Sequence, residues 1–430
     1  MIKIKNLFLL FLMLSVGFTA QSQELNYAKI LIDTLSSPSF HGRGYVNEGD
    51  RKAAVFIKKE FIKAGLKTMD TSYFQFFSLP VNTYPGKMEV MLKKKKLKPG
   101  ADFVVAPFSP ADSGTYKLLW FDQSILQNKK KFEAFKNADV RNTYIVLDDK
   151  GVESREEKEI FRELERNPLR AKGIIKLTGS KFTWSVSRKQ GSYVLLEMQR
   201  DAIVSNAKQI YLHIEAKFLP NYSSQNVIGY IPGTIQPDSF IVFTAHYDHL
   251  GRMGSNAYFP GANDNASGTA MIIDFANHYN SNPSPYSIVF IAFAAEEAGL
   301  VGSEFYTQNP LFPLGNIRFL INLDLMGNGQ EGITVVNGSV FQQEFQLLKT
   351  INAQNNHVVA INERGKAANS DHYHFSEKGV PAFFIYSLGG GQAYHDIYDT
   401  PNQIELYAYE EIFRLLTNFT STLTGGAERK

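Results

Sequence analysis

Four apolar runs in the second half of the chain each end on a carboxylate or a histidine. That repetition constrains the fold more than any other feature of the sequence. Ile241–Ala245 (IVFTA) leads into His246 and Asp248 in an H-x-D step. Tyr286–Ala294 leads into Glu296 and Glu297, and Arg318–Leu323 leads into Asp324. Ala382–Tyr386 leads into a loop, Gly389-Gly390-Gly391, that carries Tyr394 and His395. Apolar runs without polar alternation predict strands buried on both faces. Open α/β sheets place their ligand sites beyond the carboxyl ends of such strands, so these four ends predict one shared site. Between the first two runs lies Gly261–Gly268 (GANDNASG), with Asp264 just before a predicted helix capped by Asn265 or Ser267. The dipole of that helix favours the ionised form of Asp264.

The residue types can be tested by charge. Two histidines (His246, His395) and three carboxylates (Asp264, Glu297, Asp324) form a nitrogen and oxygen donor set that suits zinc. Two zinc ions bring +4 and three carboxylates return −3, so a bridging hydroxide balances the set. Glu296 is then the spare carboxylate, free to move protons. Glu296 and Glu297 repel each other at a strand end unless a cation is shared. The charge of Asp324, after a buried strand, also needs a partner. Because the chain has no cysteine, thiolate ligands and a disulfide framework are excluded. His249 lies beside His246, but alternation turns it elsewhere and predicts a loop residue.

The phrases HYDHLG, DNASG, Glu296–Ser303 (EEAGLVGS), NLDLMG and YHDIYDT together resemble the MH-clan zinc aminopeptidases, metallopeptidase family twenty-eight. That family also includes glutamate carboxypeptidases and the transferrin receptor ectodomain. The resemblance runs over residues 219–400, with a weaker likeness at His41–Gly44 (HGRG), where it gives Arg43 a structural use. It implies a zinc exopeptidase fold with two Zn2+ ions and a peptide substrate. His246 and Asp324 would bind one ion, Glu297 and His395 the other, and Asp264 would bridge them. Glu296 would be the general base, Asp248 a supporting carboxylate, and Tyr394 a stabiliser of the oxyanion. A carboxypeptidase of the same family would keep these ligands and add basic residues for a terminal carboxylate. A glutaminyl cyclase relative would use one zinc. A non-catalytic ectodomain would show eroded ligands, and none is eroded here.

Strands alternate with helical patterns throughout, which predicts an α/β fold: a mixed, mainly parallel central sheet with helices on both faces. Residues 1–22 read as a signal peptide, with Lys3 and Lys5, the apolar run Leu7–Phe18 and an Ala20-Gln21-Ser22 cleavage site. The expected product is exported, to the periplasm or outside the cell, with no stable membrane span once the leader is removed. Residues 23–99 are expected to form the first part of a peptidase domain and 206–430 its main part. Residues 100–205, with phrases such as NTYIVLDDKG, resemble a protease-associated domain and predict a smaller inserted α+β unit. Subtracting Lys3 and Lys5 from 45 basic residues leaves 43 against 42 acidic ones, a balance that gives no support for nucleic-acid binding. The run Lys93–Lys96 reads as a solvated hairpin tip rather than an anion site. In Ser370–Phe375 (SDHYHF), Asp371, His372 and His374 are expected at the cleft wall, and a serine hydrolase reading of Ser370 lacks a G-x-S-x-G elbow.

Overall fold

The computed structural model describes residues 25–425, so the leader expected at 1–22 lies outside the described residues. Two eight-stranded sheets organise them. Strand β1 (Phe74–Thr83) opens the first sheet. The second sheet takes β2 (Met88–Leu92), β3 (Lys95–Lys96), β4 (Phe103–Val105) and β5 (Asp112–Asp122). It continues with β6 (Thr143–Asp148), β7 (Gly173–Thr178), β8 (Val194–Gln199) and β9 (Gln209–Ile214). The chain then returns to the first sheet with β10 (Lys217–Ile231), β11 (Gln236–His246), β12 (Tyr286–Phe293) and β13 (Ile317–Asp324). Strands β14 (Gly332–Val336), β15 (Ile361–Glu363) and β16 (Ala382–Leu388) complete it.

The first sheet has the order β1-β10-β12-β11-β13-β16-β14-β15. Its middle strands β12, β11, β13 and β16 are parallel, and antiparallel pairs flank them. From β11 the chain crosses through the helix Gly268–Ser281 to β12 on one side. It then crosses through Val301–Gln308 to β13 on the other side. Strand order therefore reverses at β11, and a crevice opens at its carboxyl end.

Side chains along β11 alternate between two cores, which is why the run reads as continuously apolar. Ile241, Phe243 and Ala245 join a core that also holds Ile272, Leu348 and Leu415 from three helices. Phe240 and Val242 join Tyr306 and Phe375 on the opposite face. Phe243 stacks on Phe275 of the helix Gly268–Ser281, with ring centroids 4.3 Å apart. Truncating such a side chain typically costs about 3–5 kcal/mol. The two cores hold the strand in register, and so hold His246 at its end.

The second sheet has the order β3-β2-β9-β5-β6-β7-β8-β4, with β5 to β8 mutually parallel. It takes in β2 and β9, outside 100–205, because β9 pairs with both β2 and β5 before the chain returns to β10. Separate apolar clusters fill its two faces. Strands β2 and β3 form a hairpin whose lysines are exposed, as the solvated-tip reading expects. Among the described residues, no helix is long and apolar enough to cross a membrane.

Candidate metal centre

The five residues expected as ligands meet at the carboxyl ends of β11, β12, β13 and β16. One oxygen of Asp264 lies 3.4 Å from His246 Nε2, and the other lies 3.1 Å from His395 Nε2. Asp324 Oδ2 is 3.3 Å from His246 Nε2. Glu297 Oε2 is 3.1 Å from His395 Nε2. The donor atoms therefore form two groups that share one carboxylate. His246, Asp264 and Glu297 each offer an atom within 4.8 Å of the others.

Local structure explains the placement of each. His246 closes β11, and its backbone carbonyl accepts Thr269 Oγ1 at 3.1 Å. Asp264 follows a tight loop and precedes the helix Gly268–Ser281, with a cis peptide bond to Asn265. Asn265, one of the two expected caps, accepts the Gly268 N–H at 2.9 Å and donates to Leu323 O at 2.9 Å. Gly261 turns that loop at φ +58, where a Cβ would come within 2.2 Å of Asp264 O. Ala295 (φ 58) and His395 (φ 54) are also left-handed, which is uncommon for residues with a Cβ and costs about 1–2 kcal/mol each.

Asp248 supports rather than joins the cluster. It is fully buried, and its two oxygens accept the backbone N–H groups of Glu296 (3.1 Å) and Glu297 (3.4 Å). Arg43 lies beneath the same loops, fully buried. Its guanidinium donates to the carbonyls of Tyr247, Leu35, Pro260, Gly261 and Asp264. A cation there is spent on backbone, not on carboxylates. Tyr394 is partly exposed and stacks on His395, with centroids 4.0 Å apart and planes at 15°.

Two residues at the site were not identified from the sequence. His249 is a loop residue, but it is fully buried, with Nδ1 2.8 Å from Glu297 Oε1. Alternation misdirects it because β11 ends at His246 and the following backbone leaves the pleat. The second histidine of H-x-D-H was the available signal. Asp399 accepts the N–H groups of Asn263 (2.9 Å) and Asp264 (3.0 Å). Ser370 accepts Asn322 Nδ2 at 2.7 Å and Asp371 is buried, so this segment packs behind β13.

Electrostatics in the crevice are dominated by negative charge. Burial pushes Asp248 up to about 8, Asp399 to about 7 and Asp324 to about 6. Burial first, then the neighbouring Glu297, Asp371 and Asp324, pushes Glu296 well above the usual carboxylate range. Burial opposes charge on His395, yet Glu297 and Asp264 draw it up to about 11. The nearby guanidinium, Arg43, is held down to about 10 by burial. Such a crowd needs cations, and its donors fit zinc. Two ligands on one tetrahedral zinc lie about 3.4 Å apart when their bonds are about 2.1 Å, which is the spacing found around His246. Asp324 Oδ1 and His249 Nε2 have no hydrogen-bond partner among the described residues.

Residues 226–420 match the family model described as Peptidase family M28. The chain is similar to aminopeptidase YwaD of Bacillus subtilis, 32% identical over 203 residues that cover 44% of this chain and 41% of that protein. A probable zinc metalloprotease of Pyricularia oryzae is 36% identical over 105 residues, 24% of this chain and 21% of that protein. The matched stretches thus span less than half the length of these curated relatives. Among solved structures, BSAP, a zinc aminopeptidase from Bacillus subtilis, aligns with a TM-score of 0.68 at 22% identity, covering 92% of this chain and 94% of that one. A peptidase M28 precursor from Shewanella amazonensis aligns with a TM-score of 0.64 at 16% identity, covering 97% and 98%. This likeness is one of fold, and it extends over nearly the whole chain.

Proposed function

We propose that the chain, whose residues 226–420 match the family model described as Peptidase family M28, is a two-zinc aminopeptidase acting on peptides. The observation that carries this reading is the shared carboxylate of Asp264, with one oxygen toward His246 and the other toward His395. The relatives named as aminopeptidase YwaD and as the zinc aminopeptidase BSAP support the choice of reaction.

In this reading His246 and Asp324 would hold one zinc, Glu297 and His395 would hold the other, and Asp264 would contribute to both. When bound, zinc supplies Lewis acidity that polarises the scissile carbonyl and acidifies the attacking water. Glu296 takes the proton of that water and delivers it to the leaving amine. Its raised affinity for a proton, set by burial and the carboxylates around it, suits that relay. The Tyr394 hydroxyl donates to the developing oxyanion, a contact typically worth about 3 kcal/mol. Burial and the nearby carboxylates push its pKa up, so it stays a donor. Asp248 holds the backbone of Glu296 and Glu297, so that base and ligand keep their spacing. Residues 100–205 are proposed as a protease-associated-like insertion, and residues 1–22 as an export leader.

The test is a panel of aminoacyl and peptide reporters with free and blocked N-termini, assayed with and without a chelator. Hydrolysis confined to free N-termini, lost with chelator and restored by zinc, is expected, together with two zinc equivalents by elemental analysis. Release of C-terminal residues from blocked peptides points instead to a carboxypeptidase. Pyroglutamate formation with one zinc equivalent points to a cyclase.

A further inference from the structure

The expected ligands all lie on the first sheet, yet the residue that orients one of them lies on the second. His395 Nδ1 is 2.9 Å from the backbone carbonyl of Trp184, in the segment between β7 and β8. The Trp184 N–H donates in return to the His395 carbonyl at 2.9 Å. A carbonyl can only accept, so Nδ1 carries the proton. Nε2 is thereby the nitrogen that faces Asp264 and Glu297, 3.1 Å away on each side, and the one that would bind a metal. Fixing the tautomer and ring angle of a ligating histidine through its second nitrogen is how outer groups tune a metal site.

Two further anchors make this segment a strap. Lys181 Nζ donates to the carbonyls of Gln392 (2.5 Å) and Tyr394 (3.2 Å), and lies 3.3 Å from Asp396 Oδ2. It thus grips the loop on both sides of His395. The Trp184 ring stacks on Phe259, in the segment after β11, with centroids 4.6 Å apart and planes at 16°. Its Nε1 donates to Val105 O at 2.6 Å, tying it to β4 of the second sheet.

We propose that the inserted domain, through the strap Lys181–Trp184, positions His395 and so sets the affinity for the zinc that His395 would hold. The proposal rests on the zinc reading above. Lys181 and Trp184 are positioning residues, since neither side chain reaches the cluster. The test titrates bound zinc in the full chain against a chromophoric chelator, for wild type, Lys181→Met, Lys181→Arg and Trp184→Phe. The last substitution preserves an aromatic ring but removes the Nε1 donor, so it guards against outright misfolding.

Lys181→Met and Trp184→Phe are expected to weaken one zinc equivalent about 10–100-fold and to leave the other within about twofold, with Lys181→Arg restoring it. Equal weakening of both equivalents alongside a lowered Tm, or no weakening at all, overturns the strap. A wild type with a single equivalent overturns the two-ion reading alone. In that case the strap still requires Lys181→Met to weaken that ion, and unchanged affinity overturns it. A wild type that takes up no zinc overturns both.

Discussion

The Asp399 carboxylate receives the backbone N–H of Asp264 at 3.0 Å, and with its other oxygen the N–H of Asn263 at 2.9 Å. Two stretches 135 residues apart are thereby joined at the carboxylate that turns one oxygen toward His246 and the other toward His395. Asp399→Ala leaves two buried donors without an acceptor, each costing about 1–3 kcal/mol. Zinc content and urea stability are both expected to fall. Unchanged values of both would show that the Asp264 loop holds its own shape.

Asp264 itself has a sharper expectation. Asp264→Ala removes the carboxylate whose two oxygens lie 3.4 Å from His246 Nε2 and 3.1 Å from His395 Nε2, so both zinc equivalents should be lost along with activity. Two equivalents retained per chain in elemental analysis would count against a shared ligand.

Glu296→Gln separates proton transfer from binding. Gln keeps the shape but cannot take a proton, so zinc content should match wild type while kcat falls about 10²–10⁴-fold. A variant that hydrolyses an aminoacyl reporter at the wild-type rate would remove Glu296 from the role of base.

Arg43→Met tests the buried guanidinium. Its donors hold four carbonyls from the loops that carry His246 and Asp264 and a fifth from Leu35, and Met strands those acceptors in a fully buried position. A loss of at least about 3 kcal/mol in urea melts is expected, from several charge-assisted bonds at about 1.5–3 kcal/mol each. A loss under 1 kcal/mol would mean that the loops hold together without it.

Asp50 gives a pH signature away from the crevice. It is fully buried, accepts Tyr222 Oη at 2.5 Å and Ser224 Oγ at 2.8 Å, and burial raises its pKa from 3.8 to about 6. The folded chain keeps this proton to a higher pH than the unfolded chain does. Its contribution to stability is therefore greatest below pH 4 and declines as pH rises through about 6. Asp50→Asn cannot titrate, so wild type should lose up to about 3 kcal/mol relative to the variant between pH 4 and pH 7. Both chains carry the same metal cluster, so its titration cancels in the difference. A gap that stays constant across that range would place the group's pKa near its ordinary value.

Much of the fold was legible because burial on both faces leaves a clear trace. Ile241–Ala245 and Tyr286–Ala294 have no polar alternation, and the polar residue that ends each run marks the edge of the sheet. The helices over Gly49–Lys63 and Tyr409–Leu423 likewise follow from their apolar spacing. His249 was not legible, since a period-2 argument has no force once the strand stops. The Trp184 carbonyl was invisible in principle, because a backbone acceptor carries no residue-specific signature.

The sequence by itself determined which side chains stand at the strand ends and what charge they bring. Those follow from local pattern and residue chemistry, and both are written along the chain. Only the tertiary structure decided how those ends face one another. The two oxygens of Asp264 are apportioned between His246 and His395 by strand order, and His395 is oriented from a second sheet. Both depend on contacts between residues far apart in the chain, which local pattern cannot encode.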